Sequence, residues 1–452
     1  MKIAIVGAGS KSFGAGTIRD ILLSDTLTKG GVDITLMDIV PQHLEANLSY
    51  ARRLADHLGR EARVTGTTDL DAALDGAGAV VTAIEVNRYF YWAQDFHIPR
   101  KHGFNQIYGE NGGPGGLFHA LRNMGPTLRV ARRMEQLCPK ALLLNFTNPE
   151  AKLCEAITRQ TQIQTLGLCH GVFGGQHQIA TFLGMPEEEL EMSACGINHF
   201  TWFQTVKSSK TGEDLYPLLK ARERQADPLA QWDEHALSRA CLRVFGLWPS
   251  PGTNHIGEYI RWADELFAAQ KMQYFYDPAD GNPWETGMIP RFVYSLGGHP
   301  ADVPLFPEAA APAPPPEALP DKEALRPSRE LCVPIIEALL FGVPHELAAV
   351  NTPNRGAIPG LPDETVVEVP ADADAKGLRP WRMPALPEAV LAMIRTQASI
   401  QQLLVEAFVE ASRRKLLQAV LLDPTVNSYH NAVSMINEMC ELQKDLLPPL
   451  KW

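Results

Sequence analysis

Lys2-Ile3-Ala4-Ile5-Val6-Gly7-Ala8-Gly9-Ser10 opens the chain, and its reading decides the fold. The β-rich run Lys2 to Val6 reads as a buried strand, and the glycines after it end the strand in a tight turn. Helical periodicity follows from Phe13 to Leu23. Glycine at a strand-to-helix turn lets the backbone approach a pyrophosphate, whose charge the helix N-terminus favours. Ser12 stands where the usual fingerprint has its third glycine, and Gly14 and Gly16 come later. A second strand, Asp33 to Met37, ends in Asp38. A carboxylate there accepts hydrogen bonds from adenosine ribose hydroxyls and repels a 2′-phosphate, which favours NAD over NADP. Gly7, Gly9, Ser10 and Asp38 are the candidate cofactor residues. A bare tight turn beside a solvated acid is the plainer alternative.

Working outward, a helix is expected from Pro41 to about Leu58, with strands at Ala62–Thr65, Ala79–Ile84 and Ala141–Asn145. Such alternation argues for an α/β domain whose mostly parallel, doubly wound sheet is covered on both faces. Residues 1–195 are read as this Rossmann-type nucleotide-binding domain, and 196–452 as an α-rich second domain with some antiparallel strands. In the second part Phe200–Val206 is rich in β-formers, while Pro387–Leu422 and Val426–Leu446 carry helical periodicity. Eight prolines between Pro304 and Pro327 mark residues 301–329 as an exposed loop or a mobile flap.

Composition narrows the function class. The 452 residues are 45% hydrophobic, enough for a large core. Forty-one Lys and Arg against 52 Asp and Glu give a net charge of −11, which argues against nucleic acid or an anionic membrane as partner. No run reaches the ~18–20 apolar residues of a membrane span, and Met1-Lys2 leads straight into a strand. Seven scattered cysteines do not suggest a disulfide framework. A cytoplasmic protein is expected, with Cys138, Cys154, Cys195, Cys241, Cys332 and Cys440 as buried thiols.

Three expected strand ends carry chemistry. Asn145-Phe146-Thr147-Asn148-Pro149 closes one, Cys169-His170-Gly171-Val172 the next, and Gly196-Ile197-Asn198-His199 the third. Ligands of such sheets bind at the carboxyl edge of the strands. A thiol, imidazoles and amides gathered there, with positions open for substrate oxygens, suit a catalytic Mn²⁺, Zn²⁺ or Fe²⁺. A buried small thiol and a satisfied core histidine are the plainer alternatives.

These motifs together resemble glycoside hydrolase family 4. Gly7-Ala8-Gly9-Ser10, Glu110-Asn111-Gly112-Gly113-Pro114-Gly115-Gly116, Asn145-Phe146-Thr147-Asn148-Pro149, Cys169-His170 and Gly196-Ile197-Asn198-His199 carry the likeness. Asn354-Arg355-Gly356, Val366-Val367-Glu368-Val369-Pro370 and Leu422-Asp423-Pro424 extend it through nearly the whole chain. The resemblance implies a lactate/malate dehydrogenase-like fold, with NAD and a divalent metal, manganese first, as cofactors. It implies Cys169 and His199 as metal ligands, Asn148 and Asn198 as sugar contacts, and Glu110 near the nicotinamide. Asn145 is placed with the cofactor residues. His170 after the metal cysteine resembles members acting on unphosphorylated sugars, and Gly196 to Trp202 is most similar to α-galacturonidases. α-Glucosidase, α-galactosidase and α-glucuronidase share most of these marks.

The family chemistry is an exception to two-carboxylate hydrolysis. The resemblance implies oxidation at C3 by NAD⁺, metal-assisted removal of the C2 proton, elimination, water addition and return of hydride. The resemblance implies a tyrosine base about sixty residues after the metal histidine, a place that Tyr259 fills, with Glu258 the runner-up. His170 is placed as an acid for the leaving group or as a sugar contact. A uronate would need a cation, and Arg261, Arg88 and Arg122 are the candidates. A homodimer or homotetramer acting on a small sugar or oligosaccharide is expected. An NAD-dependent hydroxyacid dehydrogenase is the competing class, and a sensor without turnover a third.

Overall fold

The computed structural model describes residues 1–10, 13–229, 233–266 and 319–452, together with the backbone of 272–275, 292–295 and 303–304. Ser12 and most of the proline-rich 301–329 stretch lie outside them.

The first part alternates as expected. Strands β1 (Lys2–Val6), β2 (Asp33–Met37), β3 (Arg63–Thr67), β4 (Ala79–Thr82), β5 (Leu142–Asn145) and β6 (Thr165–Gly167) run parallel in the order β3-β2-β1-β4-β5-β6. Between them lie α1 (Gly14–Leu23), α2 (Asp25–Lys29), α3 (Pro41–Leu58), α4 (Leu70–Leu74), α5 (Arg88–Lys101), α6 (Gly113–Leu137) and α7 (Glu150–Gln160), and α8 (Gly171–Leu183) follows β6. Period-two alternation drives the layering. Ile3 and Ile5 of β1 join one core with Ile18, Ile21, Leu48 and Leu54 of α1 and α3, whereas Ala4 and Val6 join the opposite core with Leu121 and Met124 of α6. Each fully buried Ile contributes roughly 1.5–3 kcal/mol.

The sheet does not stop at β6. It continues antiparallel through β13 (His345–Pro353), β14 (Val366–Asp374), β7 (Leu190–Ile197), β8 (Phe200–Ser208) and β9 (Pro249–Ser250), with β15 (Gly377–Pro380) paired to β14. A separate antiparallel ribbon joins β10 (Met272–Phe275), β11 (Phe292–Ser295) and β12 (Val303–Pro304). The 195/196 boundary expected between two domains falls inside β7. Single register pairs make the junctions: Asn351 opposite Gly167 joins β13 to β6, and Glu368 opposite Gly196 joins β14 to β7.

The long helical stretch after Pro387 is two helices, Glu388–Val409 and Arg413–Leu422. Ala411 turns left-handed at φ +50°, and the Ser412 hydroxyl caps the second helix by accepting from Lys415 N–H. Periodicity alone carries through such a break. The last helix, Tyr429–Leu442, is shorter than expected because Ser428 caps it, accepting from Asn431 N–H.

Candidate functional site

The Gly7–Asp38 end, expected to take the nucleotide, is built locally. Gly7 and Ala8 donate their N–H groups to Met37 O across the β1–β2 edge. Asp38 is buried, and its carboxylate accepts from Gly9 N–H at 2.8 Å and Val40 N–H at 2.9 Å. A Cβ on Gly9 would lie 2.7 Å from Asp38 Oδ2, so this approach of turn and acid requires glycine. The Ser10 hydroxyl accepts from Phe13 N–H. Asn145 is fully buried and committed inward: its Oδ1 accepts from the Thr82 hydroxyl and its Nδ2 donates to Thr147 O. Its amide therefore shapes the turn after β5 and has no group left to offer a nucleotide.

The second end is assembled from distant segments. Cys169 follows β6, and Gly171 N–H donates to its sulfur at 3.3 Å. His199 sits in the two-residue turn joining β7 and β8, at φ +64°, a conformation that a non-glycine residue rarely adopts. The turn brings His199 Nε2 to 3.3 Å from Cys169 Sγ. Burial pushes the Cys169 thiol well above its ordinary range, with Glu368 adding to it, and burial beside His255 pushes His199 well below its own. A neutral imidazole is the ligating form, and a divalent ion supplies the positive charge that would ionise the thiol. A thiolate, an imidazole and positions open to substrate oxygens fit a divalent transition-metal cation.

Glu110 arrives on the loop that leads into α6. Burial alone would raise its carboxyl, but Arg88, His255 and His199 outweigh that and bring it down to about 2. Arg88 pairs with both Glu110 and Glu85. Glu85 also meets His119 Nε2 at 2.9 Å; against burial, that imidazole brings its carboxyl to about 2. Glu258 is fully buried, and its Oε1 accepts from Glu110 N–H at 2.6 Å and Asn111 N–H at 3.0 Å. A Cβ on Gly112 would lie 2.8 Å from Glu258 Cβ and 3.0 Å from Tyr259 Cε1, so the glycine admits this packing. Glu258 thus spends its carboxylate holding the glycine-rich loop.

Tyr259 is 3% exposed and stacks on Phe200 at 4.9 Å between ring centroids. Burial raises its phenol well above the usual range, and the charges of Glu258, Asp423, Glu110 and Cys169 add to it. Lys152 of α7 lies with its ammonium 5.8 Å from that ring, donating to Asn111 O at 2.6 Å. Burial lowers Lys152 to about 8. Asn198 Nδ2 and Asn351 Nδ2 both donate to Glu368 Oε1, at 3.2 and 3.3 Å. Asn148 precedes a cis proline, and its carbonyl accepts from Asn123 Nδ2 at 2.9 Å.

Other expected residues stand apart. His170 is largely exposed, its Nδ1 3.1 Å from Glu330 Oε1, and that carboxylate raises its pKa. Arg122 is 1% exposed and locked onto Asp95 at 2.7 Å, so it offers no free guanidinium to a substrate. Arg261 is exposed. Sequence reasoning gave no role to His255, Lys152, Glu85, His119 or Glu368. His255 lies one helical turn before Tyr259 and Glu368 inside a quoted motif, so position could have flagged both. Nothing in spacing alone marks Lys152.

Comparison with known proteins decides the family. A model described as family 4 glycosyl hydrolase matches residues 2–185, and one for its C-terminal domain matches 194–426. The chain belongs to glycosyl hydrolase family 4. It is 30% identical to an alpha-glucosidase of Erwinia rhapontici, covering 100% of this chain and 99% of that one. It is also 30% identical to an alpha-galactosidase of Bacillus subtilis over 100% of both chains. An alpha-galacturonidase of Thermoanaerobacter italicus is 27% identical over 99% of this chain and 97% of its own. Among solved structures, a 6-phospho-alpha-glucosidase from gut microorganisms, in complex with NAD and Mn²⁺, superposes with a TM-score of 0.73 at 23% identity, covering 100% and 99% of the two chains. A malate dehydrogenase of Plasmodium falciparum superposes at 0.51 and 15% identity over 93% of this chain and 99% of its own, so the dehydrogenase-like fold holds. The chain is a glycoside hydrolase. Among the described residues no helix is long and apolar enough to cross a membrane.

Proposed function

We propose that this glycosidase uses NAD and a divalent metal, manganese first, to hydrolyse an unphosphorylated α-glycoside. The 3.3 Å approach of Cys169 Sγ to His199 Nε2, at the strand edge that also carries the Gly7–Asp38 turn, is the observation that carries this reading. Gly7, Gly9, Ser10 and Asp38 would hold the nucleotide, and Cys169 and His199 the metal. When bound, the nucleotide supplies reversible hydride acceptance at C3, and the metal supplies Lewis acidity at the neighbouring oxygens.

The chain's own residues do the rest. Tyr259, packed against the glycine-rich loop that Glu258 holds, takes the C2 proton at its phenolate oxygen. Lys152 favours that phenolate by its charge, offsetting the anionic surroundings. Asn198, oriented by Glu368, and Asn148 orient sugar hydroxyls. Glu110 with its glycine-rich loop lines the nicotinamide side. His170, whose pKa Glu330 raises, assists leaving-group departure or contacts a sugar hydroxyl. Tyr259→Phe is expected to lower kcat by about 10³-fold while leaving NAD affinity unchanged, checked by steady-state kinetics and nucleotide titration.

Within this class we propose an α-galacturonide substrate, on the likeness of the block Gly196 to Trp202 to α-galacturonidases. A neutral α-galactoside or α-glucoside is the second reading. It is favoured by the commitment of Arg122 to Asp95 and the exposure of Arg261, and by the 30% identity to enzymes named for those substrates. Nitrophenyl α-galacturonide, α-glucuronide, α-galactoside and α-glucoside, assayed with NAD⁺, Mn²⁺ and a reductant, separate the readings. Cleavage of the galacturonide ahead of the others supports the first, and preference for a neutral sugar overturns it. Net NADH formation with a hydroxyacid, insensitive to chelator, would instead mark a dehydrogenase.

A further inference from the structure

His255 stands in the short helix Thr253–Ile256, four residues before Tyr259. Its ring lies 4.1 Å from that of His199, tilted by 43°. The two imidazoles do not satisfy each other. His255 Nδ1 is buried without a hydrogen-bond partner, and an orphaned buried polar atom costs about 1–3 kcal/mol. Glu110 Oε2 lies 3.7 Å from His255 Nδ1, too far for a hydrogen bond. Ligand atoms of Glu110, His199 and His255 all lie within 4.8 Å of one another. A cation with bonds of about 2.0–2.2 Å reaches ligand atoms up to about 4.4 Å apart, so closing the cluster on it takes a shift of about 0.4 Å at most. His199 belongs to both groupings, since Cys169 meets it on its Nε2.

We propose that His255 is a third protein ligand of the divalent cation, beside Cys169 and His199, with Glu110 supplying the negative charge that favours a cation among neutral rings. The T-shaped packing of His255 on Tyr108, 5.4 Å between centroids, fixes the plane of the imidazole without using its nitrogens. The proposal gives the 255–259 segment a second purpose: a metal ligand and the proton-accepting phenol sit one turn apart on the same piece of backbone. Loading the metal would thereby fix the position of Tyr259.

This inference rests on Cys169 and His199 being ligands, so the experiment separates the two. Manganese(II) is titrated into the NAD-bound full chain and its free fraction followed by electron paramagnetic resonance. Hyperfine couplings of the bound ion are recorded on protein carrying ¹⁵N-labelled histidine. The expected result is two coupled imidazole nitrogens in the wild type and one in His255→Gln, whose manganese dissociation constant rises by about 10–100-fold. NAD affinity and thermal unfolding of the variant serve as folding controls. A single coupled nitrogen in the wild type overturns the proposal without recourse to any variant. So does a folded His255→Gln with unchanged couplings and affinity, while Cys169→Ser and His199→Gln lose the metal. If those two variants also bind manganese as the wild type does, the underlying assignment falls together with this one.

Discussion

The two ends of the site differ in how they are made. At the nucleotide end, the turn Gly7–Ser10 and the acid Asp38 lie within a single β-α-β unit, and their contacts are backbone N–H groups meeting one carboxylate. At the proposed sugar and metal end, Glu110, Lys152, Cys169, His199, His255 and Glu368 come from six segments, and most are buried ionisable groups whose charges answer one another. The first end is a local geometry, and any chain with that turn has most of it. The second exists only when the whole sheet is assembled, and each member's protonation depends on the others.

If that contrast is right, a change at one end leaves the other intact. The largest effect is expected from Cys169→Ser. Removing a proposed metal ligand would forfeit several kcal/mol of charge stabilisation, so turnover should fall by at least ~10³-fold while the NAD dissociation constant stays within twofold. A parallel loss of nucleotide binding would show that the two ends are one coupled site.

The next concerns protonation. Burial raises the Glu368 carboxyl from 4.5 to about 7. A raised folded value means that the folded protein holds a proton the unfolded chain releases. Its stability contribution is therefore complete below about pH 4.5 and is lost as pH climbs through 7, amounting to about 3 kcal/mol. Glu368→Gln keeps an acceptor for Asn198 and Asn351 but cannot ionise. Its denaturant midpoint should be flatter than the wild type's between pH 4.5 and 7, and identical profiles would remove Glu368 as the source.

The smallest effect belongs to the nucleotide end. Asp38→Asn retains an acceptor for the Gly9 N–H but loses the charge, so NAD should bind about tenfold more weakly and the penalty against NADP should shrink, read by fluorescence titration. Manganese affinity should not move.

Legibility followed the same divide. The edges of β1, β2, α1 and α3 were readable because alternation, glycine punctuation and Pro41 act within a few residues. Cys169, His199 and Tyr259 were reachable through their motifs and the family they resemble. The continuation of the sheet from β6 into β13 was not, because strand pairing across some 180 residues leaves no periodic trace. Nor was the spending of Asn145, Glu258 and Arg122 on internal partners, since an amide or a charge looks the same in sequence whether it faces a ligand or a neighbour. Lys152 and His255 drew no notice for the converse reason: their surroundings, not their spacing, are what propose a role for them.

The joining of β6 to β13 and of β14 to β7 through Asn351–Gly167 and Glu368–Gly196 has a consequence for engineering. Cutting the gene near residue 195 would sever a hairpin and leave raw strand edges on both fragments, an invitation to aggregate. Hybrid enzymes that borrow a sugar specificity from a relative should therefore exchange the rim loops and keep the backbone of the sheet from a single parent.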